Sequence, residues 1–173
     1  MTRRPIARGA LRRLVLAGVL VPLIAAAPAM AEATASSKLE QGNRELVRSA
    51  FEAWANGENV FEALLADDVV WTIHGSDPVS RTYTGRESFV EDASMPLVSR
   101  LTTPVVPQVH RIWADGDTVI VRFDGSATTT SGTPYENQFV WIFQLADDKV
   151  VRAEAFLDMA AYRTVVDNNA PVD

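Results

Sequence analysis

The chain has 173 residues, of which 16 are basic and 22 acidic, and it contains no cysteine. The absence of cysteine excludes disulfides, thiolate metal sites and thiol catalysis. A net charge of −6 repels phosphate backbones and anionic lipid, so we expect neither nucleic acid nor a membrane surface as a partner. The length is that of one domain with a hydrophobic core.

The first 31 residues have the pattern of a secretory signal peptide. A segment with five arginines up to Arg13 precedes an apolar run over residues 14–27, and Ala29-Met30-Ala31 resembles a cleavage site. The run is shorter than the ~20 residues of a membrane span, although a retained anchor is the alternative. Cleavage after Ala31 would leave 142 residues with 11 basic and 22 acidic side chains. We expect export to the periplasm or the medium, by the general or the twin-arginine route.

Helical patterns fill the first part of the remaining chain. Residues 32–38 are small and polar, which predicts a flexible leader. Apolar residues at helical spacing predict a first helix over about 39–56, ended by Gly57. Asn59 followed by Glu62 then predicts the capped start of a short second helix.

A strand and a third helix are expected next. Residues 69–74 have the composition of a strand, and a Gly-Ser-Asp-Pro turn follows it. Thr84 and Glu87 predict a capping box, and the helix after it should bend or break near Pro96.

The rest of the chain is rich in strand patterns. Four strands are expected, over about 105–113, 118–129, 135–145 and 149–157. The short turns between them predict an antiparallel meander. Asp158 should cap a last helix that ends near Val166. Helices followed by a curved meander predict an α+β fold in which helices cover one face of the sheet and close a cone.

Three short segments carry a family resemblance: residues 66–71 (Ala-Asp-Asp-Val-Val-Trp), 83–87 (Tyr-Thr-Gly-Arg-Glu) and 156–158 (Phe-Leu-Asp). With the order of elements, they resemble the SnoaL-like branch of the nuclear transport factor 2 superfamily, over residues 39–166, with 167–173 as a tail. The resemblance implies the cone-shaped fold and a homodimer paired through the outer sheet face. It does not fix a function, because the superfamily includes isomerases, cyclases, hydrolases, dehydratases and binding domains.

The ketosteroid isomerases of this superfamily use a tyrosine, a protonated aspartic acid and a strand carboxylate. Aligned with them, this chain has Ala50, a residue near Val140, and Ile73 at those positions. None of these side chains can donate or accept a proton, so steroid isomerase chemistry of that kind is not expected.

Limonene-epoxide hydrolases give a closer resemblance, which implies an Arg-x-Asp pair at Arg122 and Asp124. The other polar residues of that site correspond here to Ala155, Trp71 and Ile73. The set is therefore half complete, and the same mechanism is not implied.

Arg122 and Asp124 share one face of their strand, because side chains two residues apart point the same way. If that face lines the cone, Asp124 would be a general base or acceptor that Arg122 orients and keeps ionised. If it lies outside, the two form an ion pair of small energy. Strand periodicity favours the outside, since Val119, Val121 and Phe123 form the apolar face, whereas the resemblance favours the pocket.

Apolar side chains on the first, fourth and last of the predicted strands are candidates for the walls of a ligand site. These are Trp71, Ile73, Phe139, Trp141, Ala155 and Leu157. Asn137 shares a face with Phe139 and Trp141, and it is the candidate polar companion of Asp124. The alternative is that they form a plain packed core with Asn137 at its rim.

His74 is a candidate proton carrier near neutral pH. Strand alternation places it opposite Trp71 unless the strand is bulged, so a histidine bonded to a loop is the alternative. His110 is interpreted as structural. The two histidines lack ligand spacing with any carboxylate, so we expect no metal, and no motif indicates a cofactor.

Three functions remain open for this domain. In the first, an acid–base enzyme without cofactor acts on a small apolar molecule by isomerisation, cyclisation or hydrolysis. In the second, the domain binds such a ligand without turning it over. In the third, the cone is a packed core and the domain binds protein. An apolar cavity without ionisable groups would favour the second, and a filled cone would favour the third.

Overall fold

The computed structural model describes the backbone of residues 26–172 and the side chains of residues 32–172. The helices are α1 (Ala26–Ala55), α2 (Val60–Leu64), α3 (Arg86–Phe89), α4 (Met95–Val98) and α5 (Met159–Asn168), and a π-helical turn (Val90–Ser94) joins α3 to α4. The strands are β1 (Leu65–Ile73), β2 (Thr82–Thr84), β3 (Val106–Asp115), β4 (Thr118–Thr128), β5 (Pro134–Ala146) and β6 (Lys149–Leu157). Most of the expected signal peptide, residues 1–25, lies outside the described residues.

Helix α1 begins well before residue 39, so the predicted flexible leader at 32–38 is instead helical. No glycine or proline interrupts residues 32–41, and a helix that is already nucleated propagates through such a segment. The buried side chains of α1 begin at Asn43 and continue through Val47, Ala50 and Phe51, which fixes the C-terminal half of the helix on the sheet. Within the described part of the chain, no helix is long and apolar enough to span a membrane.

The short helix α2 begins as predicted, because Asn59 Oδ1 accepts hydrogen bonds from the backbone amides of Phe61 and Glu62. Strand β1 follows it without a loop and begins at Leu65, four residues earlier than predicted, so that it contains Asp67 and Asp68. The pairing of β1 with β6 is irregular between Leu65 and Val70, and both aspartates lie exposed in that irregular part.

The third predicted helix is broken into three short pieces. The capping box at Thr84 and Glu87 is wrong, because Gly85 is the N-cap and no side chain caps this end. The expected interruption is present, but the π-helical turn comes just before Pro96 instead of at it. Pro96 lies at the start of α4, where a helix does not use the backbone N–H that proline lacks.

The six strands form one curved sheet in the order β2-β1-β6-β5-β4-β3. Strands β3 to β6 form the predicted antiparallel meander, and β1 joins β6 in parallel. Asp158 caps α5 through hydrogen bonds from the amides of Ala160 and Ala161, as predicted. The expected tail is shorter, since α5 reaches Asn168.

The sheet has two unlike faces because side chains alternate along each strand. On β4, Val119, Val121 and Phe123 are fully buried, whereas the side chains between them are partly exposed. We call the buried side, which α1, α2 and the π-helical turn cover, the inner face, and the other side the outer face. The α+β cone is therefore confirmed, with a concave sheet closed on one side by helices.

Candidate functional site

A cavity of about 310 Å³ lies inside the cone, between the inner face of the sheet and the helices. Its floor is formed by side chains of β1, β5 and β6, and its other wall by the π-helical turn and α4. Exposed residues of the two sides form the rim: Glu58 and Asn59 in the turn before α2, and Met95 and Val98 on α4. The cone is therefore not filled.

Six of the seven side chains predicted to contact a substrate line this cavity: Trp71, Ile73, Phe139, Trp141, Ala155 and Leu157. Strand alternation was sufficient to place them, because each belongs to the inner face of its strand. Ala155 is 2% exposed and leaves part of the cavity unfilled, since a methyl group occupies less volume than any larger apolar side chain.

The helical wall was not predicted from the sequence. It contributes Trp54, Phe61 and Phe89, together with aliphatic residues of the π-helical turn and α4. The apolar spacing of α1 indicated that Trp54 faces the core, but nothing in the sequence indicated that the core has a gap beside it. The break at the π-helical turn determines where this wall lies, and it was expected only as a bend.

The aromatic rings around the cavity are in mutual contact. Trp54 and Trp141 lie parallel with centroids 5.8 Å apart, and Trp71 stacks on Phe89 at 4.1 Å. Trp71 also meets Trp141 edge to face, with 5.1 Å between centroids. Because each ring is held by another ring, we expect the cavity to keep its shape without a ligand.

Polar groups are few in the cavity wall. Tyr162 is buried and donates its hydroxyl to the carbonyl oxygen of Ala93 (3.1 Å), and burial raises the pKa of this tyrosine to about 12. The indole N–H of Trp71 has no hydrogen-bond partner among the described residues. Within the part of the chain that the structure describes, Glu58, on the rim, is the one residue in the cavity lining that is charged at neutral pH.

Arg122 and Asp124 lie on the outer face, so the pocket position implied by the resemblance is wrong for both. Asp124 pairs in register with Gln138, and Arg122 with Val140, while Phe123 between them points inward. Arg122 Nη1 donates to Asp124 Oδ1 over 2.5 Å and to the carbonyl oxygen of Phe123. Periodicity, and not resemblance, predicted the orientation correctly.

A bulge in β3 brings His110 to the same carboxylate. Val109 pairs with Phe123 and Arg111 with Arg122, so His110 is the extra residue of the strand. Its Nε2 lies 2.7 Å from Asp124 Oδ2. The hydrogen bonds from Arg122 and then from His110 lower the pKa of Asp124. The interpretation of His110 as structural missed this pairing, because the bulge has no sequence signal.

His74 also lies on the outer face, opposite Trp71, as strand alternation indicated. Its Nε2 is 2.8 Å from Glu154 Oε2, and its ring stacks on Phe156 with centroids 4.4 Å apart. The histidine has no access to the cavity from this position. The structure thus places all three predicted catalytic side chains, Asp124, Arg122 and His74, on the side of the sheet away from the aromatic cavity.

Asn137 points inward, but all the hydrogen-bonding capacity of its amide is used within the protein. Its Nδ2 donates to Tyr135 Oη and to the carbonyl oxygen of Asp158, and its Oδ1 accepts from the amides of Gln138 and Asp158. The proposed partnership with Asp124 is therefore wrong. Asn137 instead joins β5 to the start of α5, and it is not part of the cavity lining.

The outer face carries a polar depression of about 540 Å³ near the end of β4 and β5. Its lining is polar and consists of Gln108, Asp124, Gly125, Ser126, Glu136, Asn137, Gln138 and Asp158. Among residues 32–172, no group of three or more His, Asp or Glu side chains is arranged to hold a metal ion. The two concave sites thus differ in chemistry, since the lining of one is aromatic and aliphatic and that of the other is polar and acidic.

Comparison with known proteins establishes the family. The model of the SnoaL-like domain matches residues 47–153, which is more than half of the chain. The protein therefore belongs to the SnoaL-like domain family, within the nuclear transport factor 2-like fold. A comparison with curated proteins gives no match.

Solved structures support the same fold. A protein of the SnoaL-like polyketide cyclase type from Jannaschia sp. CCS1 is 20% identical, with a TM-score of 0.59 over 76% of this chain and 96% of that one. Bal32a, from a soil-derived mobile gene cassette, is 17% identical, with a TM-score of 0.59 over 71% and 95%. TerC, co-crystallised with polyporic acid, is 19% identical, with a TM-score of 0.58 over 73% and 98%. At these identities the likeness concerns the fold alone.

Proposed function

We propose that this SnoaL-like domain binds one small, planar, apolar molecule in the aromatic cavity and does not turn it over. The observation that carries the proposal is the separation of the two faces. The cavity wall is aromatic and aliphatic, whereas the carboxylate, guanidinium and imidazole groups capable of acid–base work lie outside. The structure of TerC with polyporic acid is consistent with an aromatic ligand in a fold of this kind.

The size of the cavity limits the ligand. A volume of about 310 Å³ is at the lower end for small-molecule sites, which span roughly 300–1,000 Å³. Two or three aromatic rings are an appropriate size for such a space. Burial of apolar surface contributes about 25 cal/mol per Å², so a ligand of this size can bind without a hydrogen bond.

Tryptophan fluorescence gives a direct test, because three of the four tryptophans line the cavity and Trp113 lies on the outer face. In the Trp113→Phe protein, all tryptophan fluorescence comes from Trp54, Trp71 and Trp141. We expect the neutral probe N-phenyl-1-naphthylamine to quench this fluorescence and to brighten on binding, with one molecule per chain.

The variant Ala155→Leu should block binding in the cavity, since a larger side chain at this position would fill part of it. We expect it to weaken probe binding at least tenfold while the circular dichroism spectrum is unchanged. Ala146→Leu, at an exposed position of β5, is the matched control and should bind as the parent does. Equal binding by the Ala155 variant, or no binding by the parent, would exclude this function.

We further propose that the chain is exported after cleavage near Ala31. The basic and apolar segments of residues 1–31 support this. Cleavage there would shorten α1 only at its exposed end, because the first buried side chain of this helix is Asn43. Protein recovered from the periplasm or the medium should begin at Glu32, and intact Met1 on all of it would contradict the proposal.

A homodimer through the outer face is also proposed, on the family resemblance. Trp113 and Phe156 support it, because they lie on this face and are 43% and 41% exposed. Sedimentation should give a dimer for the parent and a monomer for Trp113→Glu. A parent that sediments as a monomer at all concentrations would contradict it.

A further inference from the structure

Among the described residues that line the cavity, none is a lysine, an arginine or a histidine. The one formal charge among them is the carboxylate of Glu58, which is exposed on the rim in the turn between α1 and α2. A ligand with a negative charge would therefore find no opposite charge in the cavity and would meet a like charge at its entrance. A ligand with a positive charge would meet no like charge in the cavity and an opposite charge at its entrance.

The aromatic walls, like Glu58, favour a positively charged ligand. The face of an aromatic ring is the negative end of its quadrupole, and a cation within about 6 Å of the centroid is attracted to it, most strongly by tryptophan. Trp54 is half-buried and in contact with Trp141, and Phe61 lies on the neighbouring helix α2. Trp54, Phe61 and Glu58 line the same cavity, so a cation at the rim would have both aromatic rings and a carboxylate as neighbours.

Two sets of hydrogen-bond donors that would favour an anion are already occupied, and the indole N–H of Trp71, which has no partner among the described residues, is too deeply buried to offer a donor to a ligand. The backbone amides of Phe61 and Glu62 near the rim are bound by Asn59 Oδ1 at 3.0 and 3.4 Å. The hydroxyl of Tyr162 donates to the carbonyl oxygen of Ala93, at 3.1 Å. Neither group offers a free donor to a carboxylate or sulfonate inside the cone.

We propose that the cavity selects its ligand by charge, and that the ligand is an aromatic or otherwise planar apolar molecule with one amine or quaternary ammonium group. The apolar part would occupy the cavity and the cation would lie at the rim, between Trp54 and Glu58, where it keeps part of its hydration. This inference rests on the proposed binding function. It adds the chemical class of the ligand.

Three probes of nearly equal size test the proposal: 2-(2-naphthyl)ethanol, 2-naphthylacetate and 2-(2-naphthyl)ethylammonium. Each is titrated at low salt against the Trp113→Phe protein loaded with N-phenyl-1-naphthylamine, and its affinity is read from displacement. We expect the cation to bind about tenfold more tightly than the alcohol, which is the scale of a partly desolvated cation–π contact. The carboxylate should bind more weakly than the alcohol.

The variant Glu58→Gln separates the rim carboxylate from the rings. It should reduce the advantage of the cation severalfold and leave the affinity for the alcohol unchanged, because Glu58 is exposed and carries no part of the core. Glu136→Gln, which removes one charge on the outer face, should change none of the three affinities. Equal affinity for all three probes, or tightest binding of the carboxylate, would overturn charge selection while leaving the binding function in place. Failure of the alcohol and of N-phenyl-1-naphthylamine to bind at all would overturn both charge selection and the binding function.

Discussion

The two faces of the central sheet are built from the same strands but have opposite chemistry. On the inner face, Phe123 stacks on Phe139 with centroids 4.7 Å apart, and both are buried. One residue further along β4, Asp124 on the outer face holds Arg122 and His110. The comparison shows that a one-residue step in a strand separates a ligand cavity from a set of ionisable groups, because consecutive side chains point to opposite sides.

The position of the ionisable groups outside the cavity also limits which residue roles the family resemblance implies for this chain. Alignment placed the Arg-x-Asp pair of an epoxide hydrolase on Arg122 and Asp124, and the residue types do match. The pair nevertheless faces away from the cavity, so the match in residue type has no counterpart in position. A transferred site residue therefore needs its strand face checked before it is given a role.

The largest difference between the faces should appear in stability. Phe123→Ala removes a fully buried ring that contacts Phe51, Trp54 and Trp141, and we expect a loss of about 3–5 kcal/mol in the free energy of unfolding. Trp113→Ala, on the outer face, should cost less than about 1 kcal/mol. Urea denaturation of both variants measures the difference, and equal losses would mean that the inner face is not the core.

A second contrast lies within two adjacent residues of β5. Asn137→Ala removes four hydrogen bonds and leaves the amide of Asp158 and the hydroxyl of Tyr135 without this partner. We expect a loss of about 2–3 kcal/mol, because unsatisfied buried polar groups carry their full desolvation cost. Gln138→Ala, on the exposed side, should change the free energy of unfolding by less than about 0.5 kcal/mol. A small loss of stability in Asn137→Ala would argue against the view that the hydrogen bonds of Asn137 hold the start of α5 on β5.

Much of the fold could be predicted from the sequence, since its signals are local. The alternation in β4 to β6, the caps at Asn59 and Asp158 and the tight turns each depend on a few adjacent residues, and these elements were predicted within one or two residues. The extent of α1 was missed because propagation of a helix depends on the packed part further along the chain. The broken helix around Val90–Ser94 depends on how its side chains meet the sheet, which no local pattern records.

The candidate site was predictable to a smaller extent. Strand alternation identified the sheet side of the cavity, including Trp71, Trp141 and Ala155. The helical side was missed, since a gap in a core is a property of three-dimensional packing. The partners of Asp124 and Asn137 were missed for the same reason, because the β3 bulge and the link to Asp158 join residues distant in the chain.

Gly125 lies on the inner face of β4, against the ring of Phe139. A Cβ atom at this position would lie 2.9 Å from Phe139 Cε2 and 3.1 Å from Val105 Cγ1. Gly125→Ala should therefore displace the Phe139 ring, which is part of the cavity wall, at a cost of about 1 kcal/mol. We expect the affinity for N-phenyl-1-naphthylamine to fall about fivefold, the equivalent of that energy. Ser126→Ala, the next residue and exposed, is the control and should bind the probe unchanged.

The smallest expected effect on probe affinity is that of Asp124→Asn, which tests directly whether the outer-face groups are separate from the cavity. Asp124→Asn should leave the affinity of the cavity for N-phenyl-1-naphthylamine unchanged, because the carboxylate is on the other side of the sheet. A loss of affinity, or the loss of a measured turnover, would show that the outer groups act on the cavity ligand and would restore the catalytic hypothesis.

The same variant should alter the pH dependence of stability in a defined direction. Arg122 and His110 lower the pKa of Asp124 in the folded protein, so the ionised carboxylate stabilises the fold at pH values above its unfolded pKa, near 3.8. This contribution is lost as the pH falls through the lower folded pKa. The parent should therefore be more stable than Asp124→Asn at pH 7, and the difference should shrink progressively below about pH 4. Asp68→Asn, at an exposed carboxyl on β1, is the control. If thermal unfolding gave the same difference at pH 3 as at pH 7, the outer-face cluster would not be ionised as the geometry requires, and its chemistry would have to be reconsidered apart from that of the cavity.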